Sequence, residues 1–191
     1  MTHVTDEQLG KIAREQADLF RRVREGSLDA DYASRGLQDI IEGKYGKAAC
    51  NTYPLSVDYG RSVEDGVRAG RYDWANSDIT SCNFLTKRKG MAEISVEIIN
   101  FARYISTDGV LRELDRMGYR PAELHELLAF GEKYPDVQRE FPIVALGSVW
   151  RHRYGDRGVP YLRRHGSGRP LNLHWVEDGW REFCRFAAVR K

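Results

Sequence analysis

Side chains capable of chemistry gather toward the C-terminal end of this 191-residue sequence. His152, His165 and His174 could converge on one surface and bind a metal, and the carboxylates Glu177, Asp178 and Glu182 could hold a cation such as calcium. No HExxH or other closely spaced ligand pattern occurs, so we interpret the histidines as independent of one another and expect no metal. The sequence predicts no cofactor.

Cys184 is the one nucleophile candidate in this region. A cysteine nucleophile needs a base and an orienting group, and no histidine lies near Cys184 in the sequence. The other cysteines, Cys50 and Cys82, are distant and form no CxxC pair, which argues against disulfides and zinc and indicates a reducing compartment. Because GxSxG, GxxxxGK[ST] and strand-linked GxGxxG motifs are absent too, we predict a protein that is not an enzyme, with no catalytic residue.

Apolar and polar residues alternate around His174 as they do in a β-strand. Leu171, Leu173 and Trp175 alternate with Asn172 and His174, which predicts one face in the core and one facing outward. The outward and loop positions nearby share no size, charge or polarity, yet each residue type is reachable from an asparagine codon by changing its two leading adenines. These positions are His152, Tyr154, Gly158, His165, Pro170, Asn172, His174, Gly179, Arg181, Phe183 and Cys184.

The segment from Gly118 to Lys191 resembles a known family. Its motifs GYRPAELHELLAF, FPIVALGSVW, VPYL, LNLHW and CRFAAVRK are similar to the C-type-lectin-like domain of variable proteins of diversity-generating retroelements, in the branch that resembles formylglycine-generating enzymes. In that family a reverse transcriptase copies a template with adenine-directed errors into the 3′ end of the gene. The resemblance therefore implies a ligand-binding protein whose variable region spans about residues 150–185.

The same resemblance raises an enzymatic alternative. Formylglycine-generating enzymes use paired catalytic cysteines, whereas this region carries Cys184 alone, so the chain departs from that activity. A modifying protein of that branch stays an alternative to ligand binding. The known calcium-binding motifs of lectins, Glu-Pro-Asn and Trp-Asn-Asp, are absent, which leaves calcium unsupported.

Length and composition predict one domain with an appendage. The chain is 41% hydrophobic, enough for a proper core, and we place a helical appendage at 1–45 and the lectin-like domain at 46–191. No apolar run approaches membrane-spanning length, and Met1 to Gly10 lacks the features of a secretory signal. We expect no membrane span and a cytoplasmic location, with export or virion association left open.

Helical periodicity defines the appendage. Thr5 to Arg24 predicts a helix with Thr5 and Gln8 as a capping box, and a second helix opens at Ser27 or Asp29 and ends at Gly43. The second helix carries more carboxylates than cations, so we interpret the pair as a packing or oligomerising hairpin rather than a DNA-binding helix-turn-helix.

The remaining pattern predicts an α+β fold, and the resemblance implies that it is a C-type-lectin-like domain of two helices packed on short antiparallel strands. Lys44 to Lys89 is expected to be irregular apart from a short helix. The resemblance to the lectin-like fold implies that the first and last strands of the core meet. The predicted helices are Ser62 to Ala69, Thr107 to Met117 and Pro121 to Tyr134; the predicted strands are Ile94 to Phe101, Ile143 to Val149, Val159 to Leu162, Leu171 to Trp175 and Arg185 to Val189.

The partner is predicted to be a protein or another macromolecule, and the oligomeric state stays open. Residues 150–191 hold nine arginines and one lysine against four carboxylates, a net charge of +6, so nucleic acid or an acidic surface is the alternative partner. That cluster comprises Arg151, Arg153, Arg157, Arg163, Arg164 and Arg169.

Trp180 fits either an exposed ligand contact or the core, and joins the ligand-binding set. The fold's stability is assigned to Leu146, Val149, Trp150, Tyr161, Leu162, Leu171, Leu173, Trp175, Phe186 and Val189.

Overall fold

The computed structural model describes residues 5–27, 30–41 and 52–191. The chain divides into two compact units, Met1–Cys50 and Asn51–Lys191. Within the described residues, no helix combines the length and the apolar character needed to cross a membrane.

The first unit contains the two predicted helices, α1 (Asp6–Arg24) and α2 (Ala30–Ile41). Gly26 ends α1 because its φ of 73° suits glycine, and the Ser27 N–H then donates to the Arg22 carbonyl in a Schellman arrangement. The Gln8 side chain of the predicted capping box, and the predicted end of the second helix at Gly43, lie outside what the structure describes.

The second unit is mixed α+β, which confirms the predicted class. Its helices are α3 (Val63–Gly70), α4 (Thr107–Arg116), α5 (Leu124–Lys133), α6 (Val137–Glu140) and a 3₁₀ helix (Val176–Asp178). Its strands are β1 (Thr52–Asp58), β2 (Trp74–Ala75), β3 (Met91–Ile99), β4 (Tyr119–Pro121), β5 (Ile143–Val144), β6 (Trp150–Arg151), β7 (Arg157–Leu162), β8 (Pro170–Trp175) and β9 (Arg185–Arg190).

One sheet connects these strands in the order β1-β3-β9-β5-β7-β8-β2, with β4 also on β9 and β6 on β7. The strands predicted to meet do so: β3 and β9 pair antiparallel, from Val96 opposite Val189 to Ile99 opposite Phe186. The expectation of antiparallel strands alone was wrong, because β5 runs parallel to β9 and β2 runs parallel to β8. The sheet is therefore mixed.

The two faces of the sheet are covered by different helices. Along β9, Phe186 and Ala188 join one core cluster with α4, whereas Ala187 and Val189 join the other with α3 and α5. This alternation is what a strand produces when both of its faces are buried.

Two segments of the chain have a secondary structure that differs from the prediction. The segment expected to be irregular contains β1, where Pro54 is tolerated because β1 lies at an edge of the sheet. The predicted strand from Ile143 to Val149 is interrupted, because the Gly147 N–H donates to the Ala122 carbonyl and a Cβ at Gly147 would lie 2.6 Å from that oxygen. Val149, assigned to the core, is consequently exposed.

Helix ends follow their capping residues. Ser62 caps α3 and Ser106 caps α4, both through side-chain oxygens that accept backbone N–H bonds. Helix α5 begins at Leu124 and not at Pro121, because Pro121 belongs to β4 and pairs with Ala188.

A buried ion pair explains the charged residues of the GYRPAELHELLAF segment. The Glu126 carboxylate is fully buried and accepts hydrogen bonds from the Arg120 guanidinium at 2.7 and 3.0 Å and from the Tyr59 hydroxyl at 2.5 Å. It also accepts the Glu123 N–H at 2.7 Å, which completes a capping box at the start of α5. The segment thus fixes α5 against β4 and against Tyr59, just after β1.

Candidate ligand-binding surface

Half of the predicted ligand-binding residues line one pocket, of about 620 Å³, here called the His174 pocket. They come from the end of β8 and from the loop between the 3₁₀ helix and β9. The lining residues are Tyr104, Pro142, Val144, Tyr161, Arg163, His174, Asp178, Gly179, Trp180, Arg181, Phe183 and Cys184.

Trp180 anchors this pocket instead of offering a free surface. Its side chain is 1% exposed, its indole N–H donates to the Thr107 hydroxyl at 2.9 Å, and its ring meets Phe186 edge to face. Its backbone pairs in both directions with Ile105. Of the two interpretations of Trp180, the structure supports the core.

The loop from Arg181 to Cys184 is held through its main chain. The Asn100 side-chain amide donates to the Glu182 carbonyl at 2.7 Å and to the Cys184 carbonyl at 2.8 Å, and the Cys184 N–H donates to the Arg181 carbonyl. Because these bonds use backbone atoms of the loop, they do not depend on which side chains the loop carries. The Arg181 and Phe183 side chains are exposed.

His174 lies on an aromatic wall of the pocket. Its ring centroid is 4.9 Å from that of Trp180 and 5.8 Å from that of Tyr161. Nδ1 lies 2.9 Å from the Trp175 carbonyl oxygen, an acceptor, so we assign the ring hydrogen to Nδ1 and leave Nε2 as an acceptor. Asp178 is 3.9 Å from the same Nδ1.

Cys184 is half-buried at the edge of the pocket. Burial raises the pKa of its thiol, which keeps the sulfur protonated at neutral pH and opposes nucleophilic chemistry. Among the residues that the structure describes, no cluster of three histidine, cysteine or carboxylate side chains could hold a metal ion.

An aromatic patch on β6, β7 and β8 holds a second part of the predicted set. Gly158 lies opposite Trp150 on one side and Trp175 on the other, and the two indole rings stack across it with centroids 6.4 Å apart. His152 contacts both rings, and Tyr154 extends from His152 into solvent. Trp175, predicted to be core, is exposed.

Gly158 and Pro170 were predicted to face outward, and both are buried. A Cβ at Gly158 would lie 3.3 Å from the Trp150 ring, so the glycine makes room for the stacked indoles. Pro170 opens β8 and pairs with Trp74 in β2.

Asn172 and His165 occupy different surroundings. The Asn172 side-chain oxygen accepts hydrogen bonds from Asn76 at 3.1 Å and from the Leu173 N–H at 2.8 Å, so it links β8 to the segment after β2. His165 is exposed at a tight turn, where its backbone pairs with Gly168, and it lines another pocket of about 410 Å³ with Arg139 and Arg164.

Two members of the predicted arginine cluster are engaged by contacts within the protein. Arg169 is buried and donates to the backbone carbonyls of Gly70, Gly131 and Pro135, while Arg157 pairs with Glu177 at 2.8 Å. Arg151, Arg153 and Arg164 are exposed. These contacts weaken the nucleic-acid alternative, because phosphate binding depends on cations that are free to reach it.

Tyr104, Tyr161 and Arg163 contribute to the pocket, although none belonged to the predicted ligand-binding set. Tyr161 had been assigned to the core, but the register of β7 against β8, with Tyr161 opposite Asn172, places it on the same face as His174. Tyr104 comes from the segment before α4, and its hydroxyl donates to the Asp178 carbonyl at 3.1 Å. No local pattern could have indicated that long-range contact.

Comparison of the chain with protein-family models, curated proteins and solved structures finds no match.

Proposed function

We propose that this chain is a receptor-type, ligand-binding protein with a C-type-lectin-like fold, whose surface within residues 150–185 is diversified by retroelement-directed mutagenesis. The His174 pocket carries this proposal. Six residues of the predicted set line it. The backbone of its loop is held by the Asn100 side chain and the Ile105 backbone, both outside the diversified region.

The division between anchors and exposed side chains supports diversification. Trp180, a residue type that adenine-directed change of an asparagine codon cannot produce, is buried in the core. Gly179 has a φ of 69° and a Cβ there would overlap the Tyr104 ring, so it behaves as an anchor together with Gly158 and Pro170. The refined variable set is His152, Tyr154, His165, Asn172, His174, Arg181, Phe183 and Cys184.

Binding in this proposal rests on shape and charge complementarity. Tyr104, Tyr161 and Phe183 provide aromatic contact area at small entropic cost, and Arg163 and Arg181 add guanidinium groups at the same pocket. Such a surface suits a macromolecular ligand, above all a protein, that inserts an apolar side chain next to carboxylates.

The decisive experiment is to sequence the DNA around the gene. We expect a near-copy of the segment that encodes Trp150 to Lys191, differing only at adenines, beside a reverse-transcriptase gene. The differing codons should coincide with the refined variable set. A flanking sequence without such a copy would refute diversification.

A library tests the same proposal at the protein level. Randomising the eight variable positions should yield binders of new partners with melting temperatures close to the parent's. The loop at 181–184 is held through its backbone, and Asn172 and His174 lie in β8, whose backbone pairs with β7. A matched library at Gly158, Pro170 and Gly179 should lose folded protein. Equal loss of folded protein in both libraries would contradict the proposal.

A further inference from the structure

Helix α1 presents an exposed apolar face. Leu9, Ile12 and Phe20 are each at least half exposed, whereas Leu19 and Val23 are half-buried. In α2, Ala33 is buried and Leu37 is half-buried. Two helices of 19 and 12 residues are too short to enclose a core of their own, and units of this size are usually completed by association.

Charge is placed asymmetrically along the same helix. Asp6 and Glu7 lie in the first turn, and Arg21, Arg22 and Arg24 in the last; Arg21 is already paired with Asp18 and Glu25. Asp6 and Arg24 are separated by five whole turns, so they lie on one line of the helix surface about 27 Å apart. Leu9 and Phe20 are separated by about three turns and border that same line.

We propose that this face of α1 docks antiparallel against the same face of a second copy of the chain. Antiparallel docking sets Asp6 of each copy against Arg24 of the other, whereas parallel docking would oppose like charges at both ends. The same register brings Leu9 of one copy beside Phe20 of the other. The helix dipoles favour this orientation as well.

Small side chains at the centre are compatible with close docking. Ala13 and Ala17 lie between the two charged ends, on either side of the line that joins Asp6 to Arg24, and both are exposed. Because the pairing is symmetric, each contact occurs twice, which doubles the effect of any substitution on the dimer.

Sedimentation equilibrium of the full chain tests the dimer. We expect a dimer that dissociates on dilution, and Phe20→Ala should raise its dissociation constant at least about tenfold because two buried rings are lost. Lys11→Ala, a truncation on the opposite side of α1, is the matched control and should leave the dissociation constant unchanged. A chain that stays monomeric at every concentration, or equal effects of the two variants, would overturn the proposal.

A charge exchange tests the orientation independently of side-chain packing. Asp6→Arg and Arg24→Asp should each weaken their own homodimer, because arginine then meets arginine or aspartate meets aspartate. An equimolar mixture of the two variants should form a heterodimer tighter than either homodimer. A mixture that associates no better than the separate variants would exclude the antiparallel register.

Discussion

Replacing Glu126 by glutamine tests the buried network that fixes α5. The substitution removes the negative charge that neutralises Arg120 and introduces an amide N–H₂ among groups that all donate hydrogen bonds. Removing one partner of a buried ion pair costs about 3–5 kcal/mol. We expect Glu126→Gln to lower the free energy of unfolding by that amount, and the melting temperature by roughly 6–20 °C.

A second glutamate on the same helix provides the control. Glu132 pairs with Arg61 at 2.7 Å, but both side chains are more than a third exposed, so Glu132→Gln should cost less than about 1 kcal/mol. Urea unfolding followed by tryptophan fluorescence measures both variants, and unchanged slopes would show that the same surface is exposed on unfolding.

The result that would refute this reasoning is an equal cost for the two variants. The double variant Arg120→Met with Glu126→Gln adds a further check, because it leaves no unpaired charge in the core. It should lose less stability than the sum of its single substitutions.

Three further outcomes follow from burial and protonation. Burial alone would raise the pKa of Glu126, but its hydrogen bonds outweigh this and hold that pKa below its ordinary value. Its stabilisation is therefore present above the unfolded-state value and lost as pH falls through the folded-state pKa, so urea midpoints should fall more steeply with acid in the parent than in Glu126→Gln. Thermal melts should show a loss of about 3–5 kcal/mol for Trp180→Ala and less than about 1 kcal/mol for Phe183→Ala, which is 49% exposed; similar losses would contradict the assigned roles. Timed alkylation with peptide mass spectrometry should modify exposed Cys82 faster than half-buried Cys184, and the reverse order would contradict the raised thiol pKa.

Short-range sequence patterns predicted the helices and strands that are specified by residues close together in the chain. The helices near 62–69 and 107–117 and the strand at 185–189 were predicted because helical periodicity and strand alternation need only neighbouring residues. Strand β1 was missed because Pro54 reads locally as a strand breaker, and only its edge position in the sheet makes it acceptable. The break after Val144 was missed for a similar reason, since it depends on the Ala122 backbone.

The sequence by itself determined the α+β class, the two N-terminal helices and the concentration of dissimilar side chains between 150 and 185. Only the tertiary structure decided which of those side chains are available to a ligand. Arg169 looks like a surface cation in sequence, yet carbonyls from Gly70, Gly131 and Pro135 converge on it and hold it inside. Gly158 looks like a loop residue, yet stacked indoles from two other strands enclose it. Burial is set by what packs from distant parts of the chain, and neighbouring residues in the sequence carry no record of it.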